Sequence, residues 1–156
     1  MSYKIGDKIP FFSLKDQHGE EVTSDDLIGS PFVLYFYPKD DTPGCTKEAC
    51  SFRDKMEDLD QIDALVIGVS PDDPSSHANF IKKYGLNFTL LSDERLELAR
   101  HFDAIQEKEL EGKKSLSILR STFIIDSSGT IVWKEQPVAV DGHTERVLEA
   151  LHQKNI

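Results

Sequence analysis

An α/β fold, with a mixed central sheet flanked by helices, follows from three features of the sequence. Residues 32–37, FVLYFY, form an apolar run of strand length, four of the six aromatic and one a valine. These are residue types that pack on a pleated surface. A second run, ALVIGV at 64–69, follows a stretch with helical spacing; strands that alternate with helices imply a parallel sheet covered by helices. Near the end, two strand-like segments flank DSSG at 126–129, which marks an antiparallel hairpin. At 156 residues the chain is expected to be one domain, 1–156, large enough for a real core.

Taken in order, IPFFSL at 9–14 and EVT at 21–23 read as two short N-terminal strands around a turn at 16–19. Ser24 caps a single turn, DDLI, closed by Gly29. The 32–37 strand stops at Pro38. Thr42-Pro43 then opens a helix, with Thr42 as N-cap and Pro43 in first position. It runs to about Leu59 and turns Phe52, Met56 and Leu59 to the core. After the second strand, SPDDP leads into a helix ending near Tyr84, with Gly85 as its cap. Residues 88–91 form a short strand, and Ser92 or Asp93 caps a helix over about 94–102. Residues 103–118, including the charge run EKELEGKK at 107–114, lack a period and are expected to be an exposed loop. Strands at 120–125 and 130–134 make the hairpin, with Trp133 in the core. The last helix, 143–153, carries Val147, Leu148 and Leu151 on one face.

The formal net charge of −10 argues against nucleic acid and against anionic membranes. Residues 1–10 lack the apolar segment of a signal peptide, and no apolar run approaches membrane-spanning length. The expectation is a soluble, cytoplasmic protein, although an organellar protein relieved of its transit peptide has the same look. In a reducing compartment, two cysteines point to catalysis, redox chemistry or metal binding rather than to a structural staple. The five histidines (18, 77, 101, 143, 152) show no metal-ligand spacing to the cysteines and are expected at the surface or at caps, with no metal site.

Cys45 falls at the third position of the 42–43 helix. A thiol in the first turn is stabilised as thiolate by unpaired backbone N–H groups and the helix dipole. Cys50 lies five residues on in the same helix. Five steps rotate about 140° and rise about 7.5 Å, so the two Cα atoms stand about 8.7 Å apart. A disulfide needs about 7 Å or less. Pairing therefore requires local unwinding, which implies an intact helix when reduced and a melted one when oxidised.

The run PKDDTPGC at 38–45 resembles the Pro-x-x-x-Thr-x-x-Cys signature of peroxiredoxins, and TPGCTKEACSFRD at 42–54 resembles their bacterioferritin-comigratory, or Q-type, branch. The resemblance covers nearly the whole chain, most strongly at 38–54 and around Arg120. It implies a thioredoxin-like fold with an inserted β-α unit before the hairpin. It also implies a thiol peroxidase that reduces hydrogen peroxide and organic hydroperoxides. Cys45 is then the peroxidatic residue and Cys50 the resolving one. Arg120 is the arginine that such proteins hold beside the sulfur. Thioredoxin or a similar dithiol is the reductant, no metal, haem or flavin is required, and the chain works as a monomer.

Elementary chemistry limits what the thiolate alone supplies. At a pKa of about 8.5, about 3% of a thiol is ionised at pH 7; at about 6, about 90% is. That thirty-fold gain is offset about ten-fold by weaker nucleophilicity if a Brønsted coefficient of about 0.45 applies. Most acceleration must come from orienting the peroxide and stabilising the leaving oxygen. Arg120 offers a fork of N–H donors, Thr42 a hydroxyl, and Gly44 and Cys45 their amides. Gly44 leaves room for peroxide, Pro38 fixes the loop and shields the sulfur, and Glu48 orients Arg120. Two other functions use the same residues. A thiol–disulfide oxidoreductase is disfavoured by four residues between the cysteines. A redox-sensing binding domain would oxidise slowly and without turnover.

Overall fold

Strand β3 (Phe32–Phe36) lies inside a seven-stranded sheet, and every residue in it is buried. The computed structural model describes residues 4–154, apart from the side chain of Leu110. Strands β1 (Ser13–Lys15), β2 (Glu21–Thr23), β4 (Leu65–Ser70), β5 (Thr89–Ser92), β8 (Ser121–Ile125) and β9 (Ile131–Glu135) complete the sheet, in the order β2-β1-β5-β4-β3-β8-β9. β3, β4 and β5 run parallel, as strand–helix alternation requires. The hairpin β8–β9 and the pair β1–β2 add antiparallel strands at the two sides.

Alternation along β3 sorts the core into two layers. Val33, Tyr35 and Tyr37 face helices α2 (Pro43–Asp54), α3 (Met56–Gln61), α4 (Pro74–Tyr84) and α6 (His143–Gln153), packing with Ala49, Phe52, Leu59, Phe80 and Val147. Phe32, Leu34 and Phe36 face the other way, against α1 (Ser24–Leu27) and α5 (Glu97–His101). Tyr35 stacks on Phe52 with ring centroids 4.9 Å apart. A Cβ at Gly68, opposite Tyr35 on β4, would lie 2.9 Å from the Tyr35 ring and 2.7 Å from Leu90. Glycine there is what lets the ring lie flat against the sheet. Among the described residues no helix is long and apolar enough to cross a membrane.

Several elements differ from the sequence expectation. The first cap is Thr23, in a reciprocal capping box with Asp26, while Ser24 sits inside the helix and accepts from the Phe12 amide. The long helix breaks at Lys55 into α2 and α3. No glycine or proline marks the bend, which keeps Phe52, Met56 and Leu59 all buried. Helix α5 starts later than expected because Asp93 caps the amides of Leu98 and Ala99 across an intervening turn in which Leu96 is left-handed. Residues 103–118 are not a loop: β6 (Ile105–Leu110) and β7 (Lys113–Ile118) form a separate hairpin. Its two-residue turn holds Glu111 and Gly112 at φ 53° and 78°, the left-handed pair that a tight hairpin demands.

Candidate active site

The site is built where β3 gives way to α2. The Tyr37 N–H makes a last bond to Val69 O, and Pro38 begins the loop and is exposed. Two consecutive aspartates fasten this loop to α4. The buried Asp40 carboxylate accepts from the Tyr37 hydroxyl (2.5 Å) and the Ser76 hydroxyl (2.8 Å), and lies 2.8 Å from His77 Nδ1. Asp41 accepts from Lys83 and Tyr84, which hold its carboxyl below the ordinary range. Burial pushes the Tyr37 phenol well above its ordinary value, and neighbouring Tyr35 and Asp40 add to the effect.

Thr42 caps α2 through its backbone, with its carbonyl accepting from the Thr46 amide; its hydroxyl donates to Lys39 O at 2.9 Å and accepts no bond from the first-turn N–H groups. Pro43, Gly44 and Cys45 follow as the first three helical residues. In that position the Gly44 and Cys45 N–H groups have no partner within the helix. The Cys45 side chain is buried, and Cys50, farther along an unbroken α2, is half-buried; both thiols are free.

Arg120, just before β8, reaches across to the helix start. Its Nη2 lies 3.2 Å from Cys45 Sγ, and its Nη1 donates to Glu48 Oε1 at 2.8 Å. One guanidinium thus bridges the sulfur and a carboxylate one turn farther on. Burial opposes its charge, but Glu48 and Cys45 outweigh burial and hold the guanidinium above its ordinary value. A Cβ on Gly44 would lie 3.3 Å from Nη2, so the space this glycine leaves is occupied by the arginine. Val138 N–H bonds the Arg120 carbonyl, and Gln136 ties the same loop to Ser121 and to the carbonyls of Phe102 and Asp103. Tyr35 lies beneath the pair; burial pushes its phenol well up, and the charges of Glu48 and Cys45 add.

Cys45, Arg120, Glu48, Gly44 and Thr42 therefore converge on one end of α2, while Pro38 is exposed in the loop that precedes it. Two histidines contradict the expectation of surface or capping positions. His77 and His143 are buried, the first against Asp40 and the second 3.2 Å from Glu48 Oε2. A sequence signal existed for both. His77 shares helical spacing with Phe80, Ile81 and Tyr84, and His143 with Val147, Ala150 and Leu151.

Residues 5–134 match the AhpC/TSA family. The putative peroxiredoxin bcp of Coxiella burnetii is 46% identical over 153 residues, covering 97% of this chain and 100% of that protein. Peroxiredoxin Bcp of Bacillus subtilis is 46% identical over 151 residues, covering 97% of this chain and 96% of that one. A cysteine-to-serine mutant of Xylella fastidiosa PrxQ superposes with a TM-score of 0.93 at 36% identity, over 100% of this chain and 99% of the other. The bacterioferritin comigratory protein of Xanthomonas campestris, whose trapped intermediate and ligand complexes concern alkyl peroxide reduction, gives 0.89 at 38% identity, over 95% and 99%.

Proposed function

Since the chain belongs to the AhpC/TSA family and is a peroxiredoxin, a thiol-dependent peroxidase with a thioredoxin-like fold, we propose that Cys45 is its peroxidatic residue and Cys50 its resolving one. The observation that carries this assignment is the Arg120 fork, which touches Cys45 Sγ with one arm and Glu48 with the other. A cation at the sulfur favours thiolate and stands ready for charge on the departing oxygen.

In the cycle we propose, the Cys45 thiolate attacks the distal oxygen of hydrogen peroxide or an organic hydroperoxide. The O–O bond breaks as the S–O bond forms, and the leaving oxygen takes a proton to become water or alcohol. Thr42, whose hydroxyl hydrogen is committed to Lys39 O, offers lone pairs to the peroxide O–H. The free amides of Gly44 and Cys45 face the same oxygen, Glu48 orients Arg120, and Pro38 closes the rim. The start of α2 then unwinds, and the Cys50 thiol condenses with the sulfenic acid, releasing water and forming the disulfide. A dithiol, thioredoxin in this reading, returns both thiols by two exchanges. Because both cysteines lie in one helix, a single-domain cytoplasmic monomer completes the cycle.

The test is intact mass spectrometry of reduced protein after one equivalent of hydrogen peroxide at millisecond-to-second delays. Loss of two hydrogen masses in wild type, absent in Cys45→Ser, is the expected result. Oxidation unchanged in Cys45→Ser overturns the assignment. Cys50→Ser should stop at sulfenic or sulfinic acid; normal turnover with thioredoxin in that variant removes Cys50 from the resolving role.

A further inference from the structure

The cycle above leaves a buried ring beside Glu48 unused. His143 opens α6 and is 1% exposed, and neither ring nitrogen has a well-aligned hydrogen-bond partner among the described residues. Its Nδ1 lies 3.2 Å from Glu48 Oε2. That oxygen is equally unpartnered, since Arg120 uses only Oε1. An unpaired buried carboxylate oxygen and an unpaired buried imidazole are each costly. Here the two orphans face one another within contact distance, short only of alignment. Catalytic hydrogen bonds often tighten only when substrate is bound.

We propose that His143 is a positioning residue for peroxide reduction, donating Nδ1–H to Glu48 Oε2 so that the carboxylate cannot turn and Arg120 keeps one arm on Cys45. The inference rests on Cys45 being the peroxidatic residue. His143 touches neither sulfur nor peroxide; it acts through Glu48 and then Arg120. Its ring lies edge-on to Phe52, with centroids 5.5 Å apart at 87°. The charged groups around it come from three elements and from its own helix. Glu48 on α2 faces it directly, with Arg120 beyond. Glu135 on β9 has its carboxyl held low, chiefly by hydrogen bonds from Arg146 of α6. The N-terminus of α6 adds positive partial charge. Glu48 Oε2, 3.2 Å from Nδ1, is the acceptor that the ring faces within contact distance.

The experiment compares His143→Phe, which keeps a ring without donors, with His143→Asn, whose amide N–H can stand where Nδ1–H stands. Three quantities are read: the single-turnover rate of Cys45 oxidation by hydrogen peroxide, the rate of Cys45 alkylation by iodoacetamide, and the melting temperature. His143→Phe should slow oxidation about ten-fold or more and change alkylation less than about three-fold. His143→Asn should recover oxidation to within about three-fold of wild type. A mere packing role would move melting, spare the peroxide step and show no rescue. Oxidation by His143→Phe within two-fold of wild type, or no rescue by Asn, overturns the proposal. Should the Phe variant not fold, imidazole nitrogen NMR on the wild-type protein decides: Nδ1 protonated supports the proposal, and a neutral ring protonated only at Nε2 overturns it. That tautomer reading stands apart from peroxide reactivity. A wild type inert to peroxide would sink the Cys45 assignment instead.

Discussion

Replacing Arg120 with methionine separates what the fork does for the thiolate from what it does for the peroxide. The guanidinium stands 3.2 Å from Cys45 Sγ. Unit charges at that distance attract by about 1.3 kcal/mol at the dielectric of water and about 5 kcal/mol at an effective value near 20. The Arg120 side chain is 17% exposed and shares its charge with Glu48. The net hold on the sulfur is therefore about 2–3 kcal/mol, the range of hydrogen bonds to charged groups. If the hold acted on the thiolate alone, all reactions of Cys45 would suffer equally. Peroxide attack differs because charge builds on the departing oxygen, where loss of one fixed donor costs about 10²–10³-fold. Iodoacetamide releases iodide, which does not need such a donor. Second-order rates with hydrogen peroxide by stopped flow, and with iodoacetamide by mass spectrometry, should diverge in Arg120→Met, with the peroxide rate falling about 10²-fold more. Arg120→Lys keeps the charge but not a fork able to span Glu48 and Cys45, and should lose about ten-fold. Equal losses in both reactions would refute the leaving-oxygen role. A lysine variant at wild-type speed would refute the need for a fork.

Three further outcomes follow from named contacts. Lys47 is exposed on α2 and pairs with Asp141 at the surface, so Lys47→Gly weakens the helix by about 1 kcal/mol. Quench-flow should then show disulfide formation about five-fold faster if unwinding precedes it, and an unchanged rate would refute that order. His77→Leu removes the imidazole that stands 2.8 Å from Asp40, whose side chain is 4% exposed, and leaves the carboxylate only the Tyr37 and Ser76 hydroxyls; the cost is about 3 kcal/mol, or about 6–12 °C in the calorimetric midpoint, and a shift under 2 °C would show the pair to be slack. Glu135 is held below its ordinary 4.5 first by hydrogen bonds from Arg146, so the unfolded chain binds the proton more tightly than the folded one. Its contribution is full above about pH 4.5 and is lost as pH falls through the lower folded value. Arg146→Gln should remove about 1 kcal/mol at pH 7 after screening and nothing at the acid end, and a loss independent of pH would contradict this.

The heart of the site was legible because its signals are local. Thr42-Pro43 sets the helix start, and counting from it puts Cys45 in the third position with Glu48 one turn on. Arg120 came from resemblance; no local pattern brings residue 120 to residue 45, and only the antiparallel register of β3 and β8 does. His77 and His143 escape a reading that weighs histidines as metal ligands and not as members of the apolar stripes to which the spacing of these two assigns them. The β6–β7 hairpin hid for a different reason. Lys113, Lys114, Ser115 and Leu116 are all exposed, so neither face alternates, and Glu111 is an unusual residue for a left-handed turn. The bend at Lys55 has no local signal, since packing on both sides imposes it.

The site makes opposite demands on α2. Attack needs the helix start fixed so that the Arg120 fork meets the sulfur; resolution needs the same turn melted. In the proposed cycle the chemistry itself moves the balance. A thiolate meets Arg120 as an ion pair, and a neutral sulfenic acid only as an uncharged acceptor, which weakens the contact by about 1 kcal/mol. The surface pairs at this end, Lys47 with Asp141 and Asp41 with Lys83, are worth little in water; the Arg120–Glu48 pair and the buried Asp40 hold it more firmly. The next firm anchor is Phe52, fully buried and stacked on Tyr35, with Phe88 and His143 at its edges. Burying such a ring contributes about 2–3 kcal/mol, so unwinding that begins at Thr42 and frees Glu48 from Arg120 meets the aromatic core just past Cys50. The stretch that the proposed cycle unwinds therefore contains both cysteines and ends where the aromatic core begins, and the spacing of five residues is matched to that boundary.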